Sequence, residues 1–404
     1  MPSHARSLGL VTAVLLAGLI VSGGPAAAED YPSWDDVQAA QQSATATQAA
    51  ISEIETILVG LQQRADALGR VSLQKGEAAH LAQAELEKAS AQAKQLDQQA
   101  QSAADRAAVS NRRAGQLLAQ IARAGGGSLS LELFLSPNAG DLLGSLGTMT
   151  KVVEQADAIY RQAQIDTNLA KALTAQARAA EKERAKRADL SEAALTVAQA
   201  AADAAVARVN QQREASEQLY SQLSTLKGTT AELEQQYLAG LVDAANGAQA
   251  PTPSDPGDSP SAPPAASPPP VPGPSAPAAS AAIAYAADQL GEMYQFGGMG
   301  PSTWDCSGLT KAAYASVGVY VGTHSATDQY NTMAAAGRLV PLAQLAPGDL
   351  IFYADGGTLA GGIYHVALYV GGGQMIEAPY DGVPVRRVGV RYYDALAYAG
   401  RPTA

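Results

Sequence analysis

The sequence predicts two architectures in one chain: a long α-helical coiled-coil hairpin, followed by an α+β domain of helices and an antiparallel sheet. Residues 36–246 are rich in helix formers and contain one proline, Pro137. Residues 249–280 hold twelve of the 22 prolines, too many for a packed core. Beyond them, short apolar runs alternate with glycine-rich turns, which is typical of strands. We therefore predict an N-terminal helical region, a linker and a C-terminal domain.

The first 28 residues resemble a secretory signal. Arg6 lies in a short polar start, an apolar run covers residues 8–21, and three alanines end at Ala28. The alternative is an uncleaved membrane anchor, but the run is shorter than the ~20 residues that span a bilayer. We expect cleavage before Glu29 and a location outside the cytoplasm.

Two features of the composition limit the function. The chain has one cysteine, Cys306, so no internal disulfide can form although export would permit one. The net charge of -11 argues against nucleic-acid binding, which needs basic residues to displace phosphate counterions. We expect no nucleic-acid partner.

Apolar residues recur at alternating spacings of three and four in the helical region, assigned to residues 29–248. This spacing predicts the buried seam of a coiled coil, along Ile51, Ile54, Leu58, Leu61, Ala65 and Leu68, and along Leu219, Leu223, Leu226, Thr230, Leu233 and Tyr237. Breakers at residues 125–138 predict that the chain turns back there. The apolar head around residues 129–146 would either contact a partner, such as a membrane protein of the division machinery, or pack on itself.

The C-terminal domain, assigned to residues 281–404 after the linker 249–280, carries the residues with chemical potential. A helix is expected over residues 280–290 and a second from Cys306 to Ser316. A cysteine in a first helical turn faces free backbone N–H groups and the positive end of the helix dipole, so we expect a lowered thiol pKa and a nucleophilic thiolate. The backbone N–H of Cys306 would stabilise an oxyanion.

Strands are predicted over residues 349–353, 363–370, 374–378 and 383–388. If Val370 lies opposite Gln374, Glu377 faces Ala367 and lies within diagonal reach of His365 on the same face. Cys306 would then attack, His365 would transfer the proton and Glu377 would orient the imidazole.

Each of these residues also has a structural interpretation. A lone cysteine is often a small buried hydrophobe, and a strand histidine is often a hydrogen-bonded core residue. His80 falls among polar helix positions and is expected on the surface without a role. No cofactor or metal is expected, because His324 and His365 belong to no cluster with ligand spacing.

Several motifs together resemble the NlpC-type peptidoglycan endopeptidases, which are papain-like cysteine peptidases. The resemblance covers roughly residues 281–402 and rests on Tyr294-Gln295-Phe296-Gly297-Gly298, Trp304 to Leu309, Pro347-Gly348-Asp349-Leu350, His365 to Gly371 and Ile376-Glu377-Ala378-Pro379. The helical region resembles, less specifically, the coils of secreted cell-separation hydrolases of the PcsB and RipA type.

The resemblance implies a papain-like fold and hydrolysis of the bond between γ-D-glutamate and a diamino acid, usually meso-diaminopimelate, in cell-wall stem peptides. It also implies that Asp305, Ser307 and Tyr294 line the acyl-side pocket, with Asp305 pairing a substrate amine; helix capping and core packing are the alternatives. Two positions depart from the family. The third catalytic residue is often histidine where Glu377 stands. Many members also have Pro-Arg before a Ser or Thr where this chain has Gly322-Thr323-His324-Ser325. His324 would line the cleft or precede a helix capped by Ser325.

Two other functions fit parts of the pattern. A scaffold would bind wall peptides without cutting them, and an amidase or acyl transferase would use the same catalytic residues on another substrate. The coil would either recruit the enzyme or restrain it.

Overall fold

The computed structural model describes residues 31–123, 139–247 and 276–404. The predicted signal peptide, most of the linker and the tip of the hairpin lie outside these residues. Within the described ranges, no helix combines the length and hydropathy needed to cross a membrane.

The described part of the N-terminal region contains the helices α1 (Trp34–Ala40), α2 (Ala44–Arg123), α3 (Ala139–Lys227) and α4 (Ala231–Gly247). The long arms α2 and α3 are antiparallel, because early α2 residues meet late α3 residues. Lys227 contacts Glu55, whereas Thr167 contacts Asn111. The predicted coiled-coil hairpin is confirmed.

The buried seam follows the prediction on α2 from Ile51 to Ala65 and on the end of α3, but not beyond. The predicted seam residue Leu68 is wrong, because its side chain is 37% exposed. Ile54 and Leu219 are fully buried, whereas Leu233 and Tyr237 are each 55% exposed. The cause is Gly228, whose φ of +70° lies in the left-handed region and ends α3. Because α4 starts a new helix, the predicted spacing does not continue across the break, and Leu238 packs against the seam instead.

The C-terminal domain begins with α5 (Ala276–Ala287), which includes the last residues of the predicted linker. A short parallel pair, β1 (Met293–Tyr294) and β2 (Thr303–Trp304), precedes α6 (Cys306–Ala315) and α7 (Ala326–Ala335). The main sheet contains β3 (Leu339–Pro341), β4 (Leu350–Ala354), β5 (Ile363–Gly371), β6 (Gln374–Glu377), β7 (Arg386–Gly389) and β8 (Tyr398–Gly400). Its order is β3-β8-β4-β5-β6-β7 and all its pairs are antiparallel. The predicted α+β class is confirmed.

The β5–β6 hairpin sets the register of the site. Tyr369 pairs with Met375 and Leu368 with Ile376, as expected from Val370 opposite Gln374. At the turn itself Gly371 pairs with Gln374, so a bulge replaces the predicted three-glycine loop. The bulge absorbs one residue without shifting the strand beyond it, and the side chains keep their predicted face.

The core of the domain lies between the sheet and its helices. Every residue of β4 is buried, and this strand lies between β8 and β5 in the sheet. Helices α6, α7 and α2 all contact β5. Leu73 of α2 and Val209 of α3 belong to this hydrophobic core. The coil is therefore packed into the domain, in an arrangement that we call the docked state.

Candidate active site

The nucleophile candidate Cys306 is the first residue of α6. Asp305 caps the helix, with extended backbone angles and its Oδ1 accepting the N–H of Gly308 at 2.7 Å. Gly308 must be glycine here, because a Cβ would lie 2.1 Å from the carbonyl oxygen of Gly298. Hydrogen bonding from the backbone N–H groups of Ser307 and Val366 acts to lower the pKa of the Cys306 thiol, and Val366 follows His365 in β5.

The imidazole of His365 is fully buried on β5 and is positioned by Glu377 on β6. His365 Nε2 lies 2.8 Å from Glu377 Oε2, so the predicted same-face contact exists. Among the described residues, His365 Nδ1 has no hydrogen-bond partner. With the Nε2 proton donated to Glu377, Nδ1 is the nitrogen that can accept a thiol proton.

Glu377 also binds two arginines that the sequence analysis did not identify. Arg386 donates from Nε and Nη2 to Oε1 at 3.0 and 2.9 Å, and Arg391 Nη1 donates to Oε1 at 3.0 Å and Oε2 at 2.9 Å. Burial favours a raised pKa for the Glu377 carboxyl, but Arg391, Arg386 and His365 outweigh it and hold the pKa well below its usual range. Glu377 is therefore a carboxylate at neutral pH. Arg386 lies opposite Glu377 across β6 and β7. An antiparallel pairing of the predicted strands 374–378 and 383–388 could have revealed this contact.

The expectation of a lowered thiol pKa is wrong for the docked state. Burial raises the pKa of the Cys306 thiol well above its ordinary value, and the carboxylates of Asp305 and Glu77 raise it further. The two backbone N–H groups on the sulfur oppose this shift without cancelling it. Burial also lowers the pKa of His365, although Glu377 acts in the opposite direction. The docked pair is therefore a neutral thiol and a neutral imidazole.

Helix α2 covers the cleft with polar side chains. Glu77 is buried and accepts three hydrogen bonds at the start of α7, from Ser325 Oγ at 2.6 Å, Ala326 N at 3.0 Å and Thr327 N at 2.9 Å. Ser325 caps α7, as one alternative in the sequence analysis proposed. A carboxylate at a helix N-terminus is favoured by the free N–H groups and by the helix dipole.

Two glycines let α2 approach the domain closely. A Cβ at Gly69 would lie 2.3 Å from two ring atoms of Tyr380, and one at Gly76 would lie 2.9 Å from Phe296. Beside them, Tyr380 donates its hydroxyl to Asp66 at 2.9 Å. Ser72 donates to Asp381 at 3.2 Å.

The three residues implied as substrate-binding lie at this covered cleft. Asp305 Oδ1 caps α6 and also accepts the hydroxyl of Ser307 at 3.1 Å, so the alternative of helix capping holds for Asp305. Ser307 is fully buried and Tyr294 is 6% exposed. Burial raises the pKa of Tyr294 well above its usual value, and the neighbouring acidic groups Cys306 and Asp305 raise it further. None of the three is open to a substrate in the docked state.

His80 is not the surface residue expected from sequence, because α2 presents it to the domain. Its side chain is 15% exposed, stacks on Phe296 with ring centroids 5.0 Å apart, and places Nε2 3.6 Å from Asp305 Oδ2. His324 lines the same cleft, with Nε2 2.6 Å from Asp305 Oδ2. Sequence spacing could not reveal this cluster, since its members come from three separate segments.

A cysteine at a helix start and a buried histidine–carboxylate pair on adjacent strands define a thiol hydrolase of papain-like type. The comparisons agree. The profile of the NlpC/P60 family matches residues 291–400. Peptidoglycan endopeptidase RipB of Mycobacterium tuberculosis is 38% identical over 180 residues, which cover 40% of this chain and 68% of RipB. The chain belongs to the NlpC/P60 family, a family of cysteine peptidases.

Other relatives match a smaller part of their own length. Probable endopeptidase p60 of Listeria grayi is 40% identical over 105 residues, which cover 26% of this chain and 19% of p60. The solved structure of the peptidoglycan hydrolase RipB from M. tuberculosis is 34% identical, with 32% of this chain and 66% of that chain covered at a TM-score of 0.28.

Proposed function

We propose that this chain is an exported peptidoglycan endopeptidase that cleaves stem peptides between γ-D-glutamate and the diamino acid, meso-diaminopimelate. The single observation that carries the catalytic part is the buried pair of His365 and Glu377, in which Nε2 lies 2.8 Å from the carboxylate and Nδ1 has no partner among the described residues. The names of the relatives RipB and p60 support the reaction class. The signal-like N-terminus supports action in the cell wall, including a role in cell separation.

The reaction proceeds through an acyl-enzyme. His365 Nδ1 takes the thiol proton as Cys306 Sγ attacks the γ-glutamyl carbonyl carbon, and the backbone N–H of Cys306 donates to the oxyanion. Collapse breaks the C–N bond, and the imidazolium returns its proton to the departing amine. Water then attacks the thioester with His365 as base, which releases the γ-glutamyl acid and restores the thiol. Glu377 stabilises the imidazolium between these steps.

Glu377 is a positioning residue with a fixed charge. Arg386 binds its Oε1 and Arg391 binds both of its oxygens, so it keeps its negative charge and holds the Nε2–H tautomer without taking the proton. The pocket residues implied by the family, Asp305 and Ser307 with Tyr294, would bind the acyl side once α2 leaves.

The same contacts support a latent enzyme. In the docked state, α2 covers the cleft, Glu77 occupies the start of α7 and Cys306 is 6% exposed. A flexible tether gives the coil an effective concentration of about 1 mM at the domain. If the coil binds the cleft with a Kd of ~10 µM, about 1% of the domains are open. This favours restraint over recruitment as the role of the coil, and release would require a partner or a protease.

Product analysis tests the activity. Mass spectrometry of muropeptides treated with residues 276–404 should show free γ-D-glutamyl termini. Cleavage at another bond would support an amidase or acyl-transfer activity, and binding without cleavage would support a scaffold.

Turnover of a soluble stem tripeptide tests latency, because localisation in the cell wall does not affect the rate on a soluble substrate. Residues 276–404 should turn over far faster than residues 29–404, and equal rates would leave the coil as a recruiting arm.

A further inference from the structure

Three potential metal ligands meet between the coil and the domain. His80 comes from α2, Asp305 caps α6, and His324 lies in the loop before α7. Their ligand atoms, two imidazole nitrogens and one carboxylate oxygen, all lie within 4.8 Å of one another. One ligand therefore belongs to the coil and two belong to the catalytic domain.

We propose that His80, Asp305 and His324 bind a Zn²⁺ ion that fastens α2 over the cleft. The metal site stands on this geometry alone, whereas its effect on catalysis rests on the proposed latent peptidase. It would make release of the enzyme depend on metal.

The donor set and spacing fit zinc. Two imidazoles and one carboxylate are ligands that Zn²⁺ accepts, with a fourth position for water. Bonds of about 2.0–2.2 Å at tetrahedral angles put neighbouring ligand atoms about 3.3 Å apart. The 3.6 Å between His80 Nε2 and Asp305 Oδ2 is close to this value, and the 2.6 Å between His324 and Asp305 must widen by less than 1 Å. Partial exposure of the two histidine side chains, 15% and 19%, gives the ion an entry path.

Contacts around the cluster hold the ligands in place. The carboxylate of Asp305 is fixed by the N–H groups of Gly297, at 3.0 Å, and Gly308, at 2.7 Å. The imidazole of His80 is held by its stack on Phe296, with rings 18° from parallel. Such outer contacts orient ligands and raise metal affinity. The buried carboxylates of Asp305 and Glu77 also supply negative charge to a cation.

The split of ligands between coil and domain couples zinc to docking. When α2 leaves, the site loses His80 and keeps two ligands, so the ion binds the docked state more tightly. At free zinc 100 times its Kd for the docked state, the ratio of docked to open molecules rises about 100-fold if the open state does not bind. Zinc and substrate would also compete, since Asp305 is the proposed partner of the substrate amine.

Isothermal titration of ZnCl2 into residues 29–404, produced without a histidine tag and stripped with EDTA, tests the site. A Cys306→Ala background removes zinc binding by the thiol. We expect one zinc per chain with a micromolar or tighter Kd. His80→Gln and His324→Gln should each weaken binding at least ten-fold, because loss of a direct ligand costs no less than loss of an outer contact. Glu87→Gln, an exposed carboxylate variant of α2, should bind as the parent does.

Thermal unfolding of the same proteins gives a second measurement. Zinc should raise the Tm of the parent and of Glu87→Gln but not of His80→Gln, with the zinc-free melting temperatures showing that each variant folds. Equal zinc affinity in the parent and in His80→Gln would overturn the proposal. No binding by the parent at 100-µM zinc would also overturn it. Because the protein tested carries no nucleophile, either result leaves the proposed peptidase activity untouched.

Discussion

Gly69 of α2 lies against the ring of Tyr380, and its replacement by alanine should release the catalytic domain. A Cβ at this position would lie 2.3 Å from Tyr380 Cδ1 and Cγ and 2.6 Å from Cε1, well inside contact distance. The ring belongs to the domain core and is 5% exposed, so it cannot move aside freely. Overpacking of this kind costs typically about 1–3 kcal/mol.

The clash exists only in the docked state, so its cost shifts the equilibrium toward the open state. A cost of about 2 kcal/mol changes the ratio of docked to open molecules about 30-fold. Starting from about 1% open, the variant would be about 25% open. Turnover of a soluble stem tripeptide by residues 29–404 should therefore rise about 20-fold. Alkylation of Cys306 by iodoacetamide should accelerate by a similar factor, because the thiol is 6% exposed when docked.

Gly60→Ala is the matched control. It lies on the same helix, and a Cβ there meets nothing within 4 Å. Both substitutions add about 1 kcal/mol of helix propensity to α2, so a change in coil stability alone affects them equally. If Gly69→Ala and Gly60→Ala give the same turnover and the same alkylation rate, α2 does not restrain the domain through this contact.

Three further outcomes are expected. Cys306→Ala should fold normally and release no cleaved peptide from stem substrates. Release of cleaved peptide by this variant with zinc chelated would contradict a cysteine mechanism. Glu377→Gln should lower turnover about 10- to 100-fold, less than His365→Ala, and equal losses would give Glu377 an essential role. The folded pKa of Glu377 lies below its unfolded value of about 4.3, so the stability that its charge contributes is complete above that pH and is lost on acidification. Urea unfolding should therefore show a smaller difference in unfolding free energy between the parent and Glu377→Gln at pH 3 than at pH 7. An equal difference at the two pH values would refute this.

The positions of the proposed catalytic residues were predictable because they depend on local structure. Asp305 caps a helix at Cys306. His365 and Glu377 share one face because the bulge at the turn leaves the predicted register of β5 and β6 unchanged. The bulge at Gly371 could not be predicted, because it changes only the pairing at the hairpin end. The break at Gly228 was visible as a glycine, yet the apolar spacing continued through it.

Restraint by the coil was one of two alternatives from the sequence, but its contacts could not be predicted, because they join residues about 250 positions apart. Gly69 and Gly76 lie one heptad apart and gave a weak signal of close packing. Gly60 and Gly115 lie on the same helix without a neighbour within 4 Å, so glycine alone does not distinguish a contact from a tolerated substitution. The predicted thiolate failed for the same reason, since the helix start is local whereas the burial and the Glu77 charge come from the coil.

Release of α2 should therefore act on Cys306 in two ways. It exposes the thiol, and it removes the Glu77 carboxylate, which raises the thiol pKa in the docked state. Each unit by which the pKa falls toward its ordinary value increases the thiolate fraction about tenfold at neutral pH. The free N–H groups at the start of α6 and the two backbone donors on the sulfur then face a solvated site, where they favour thiolate. Opening the cleft and activating the nucleophile are thus one event, so a contact that keeps α2 docked keeps the thiol protonated as well as covered.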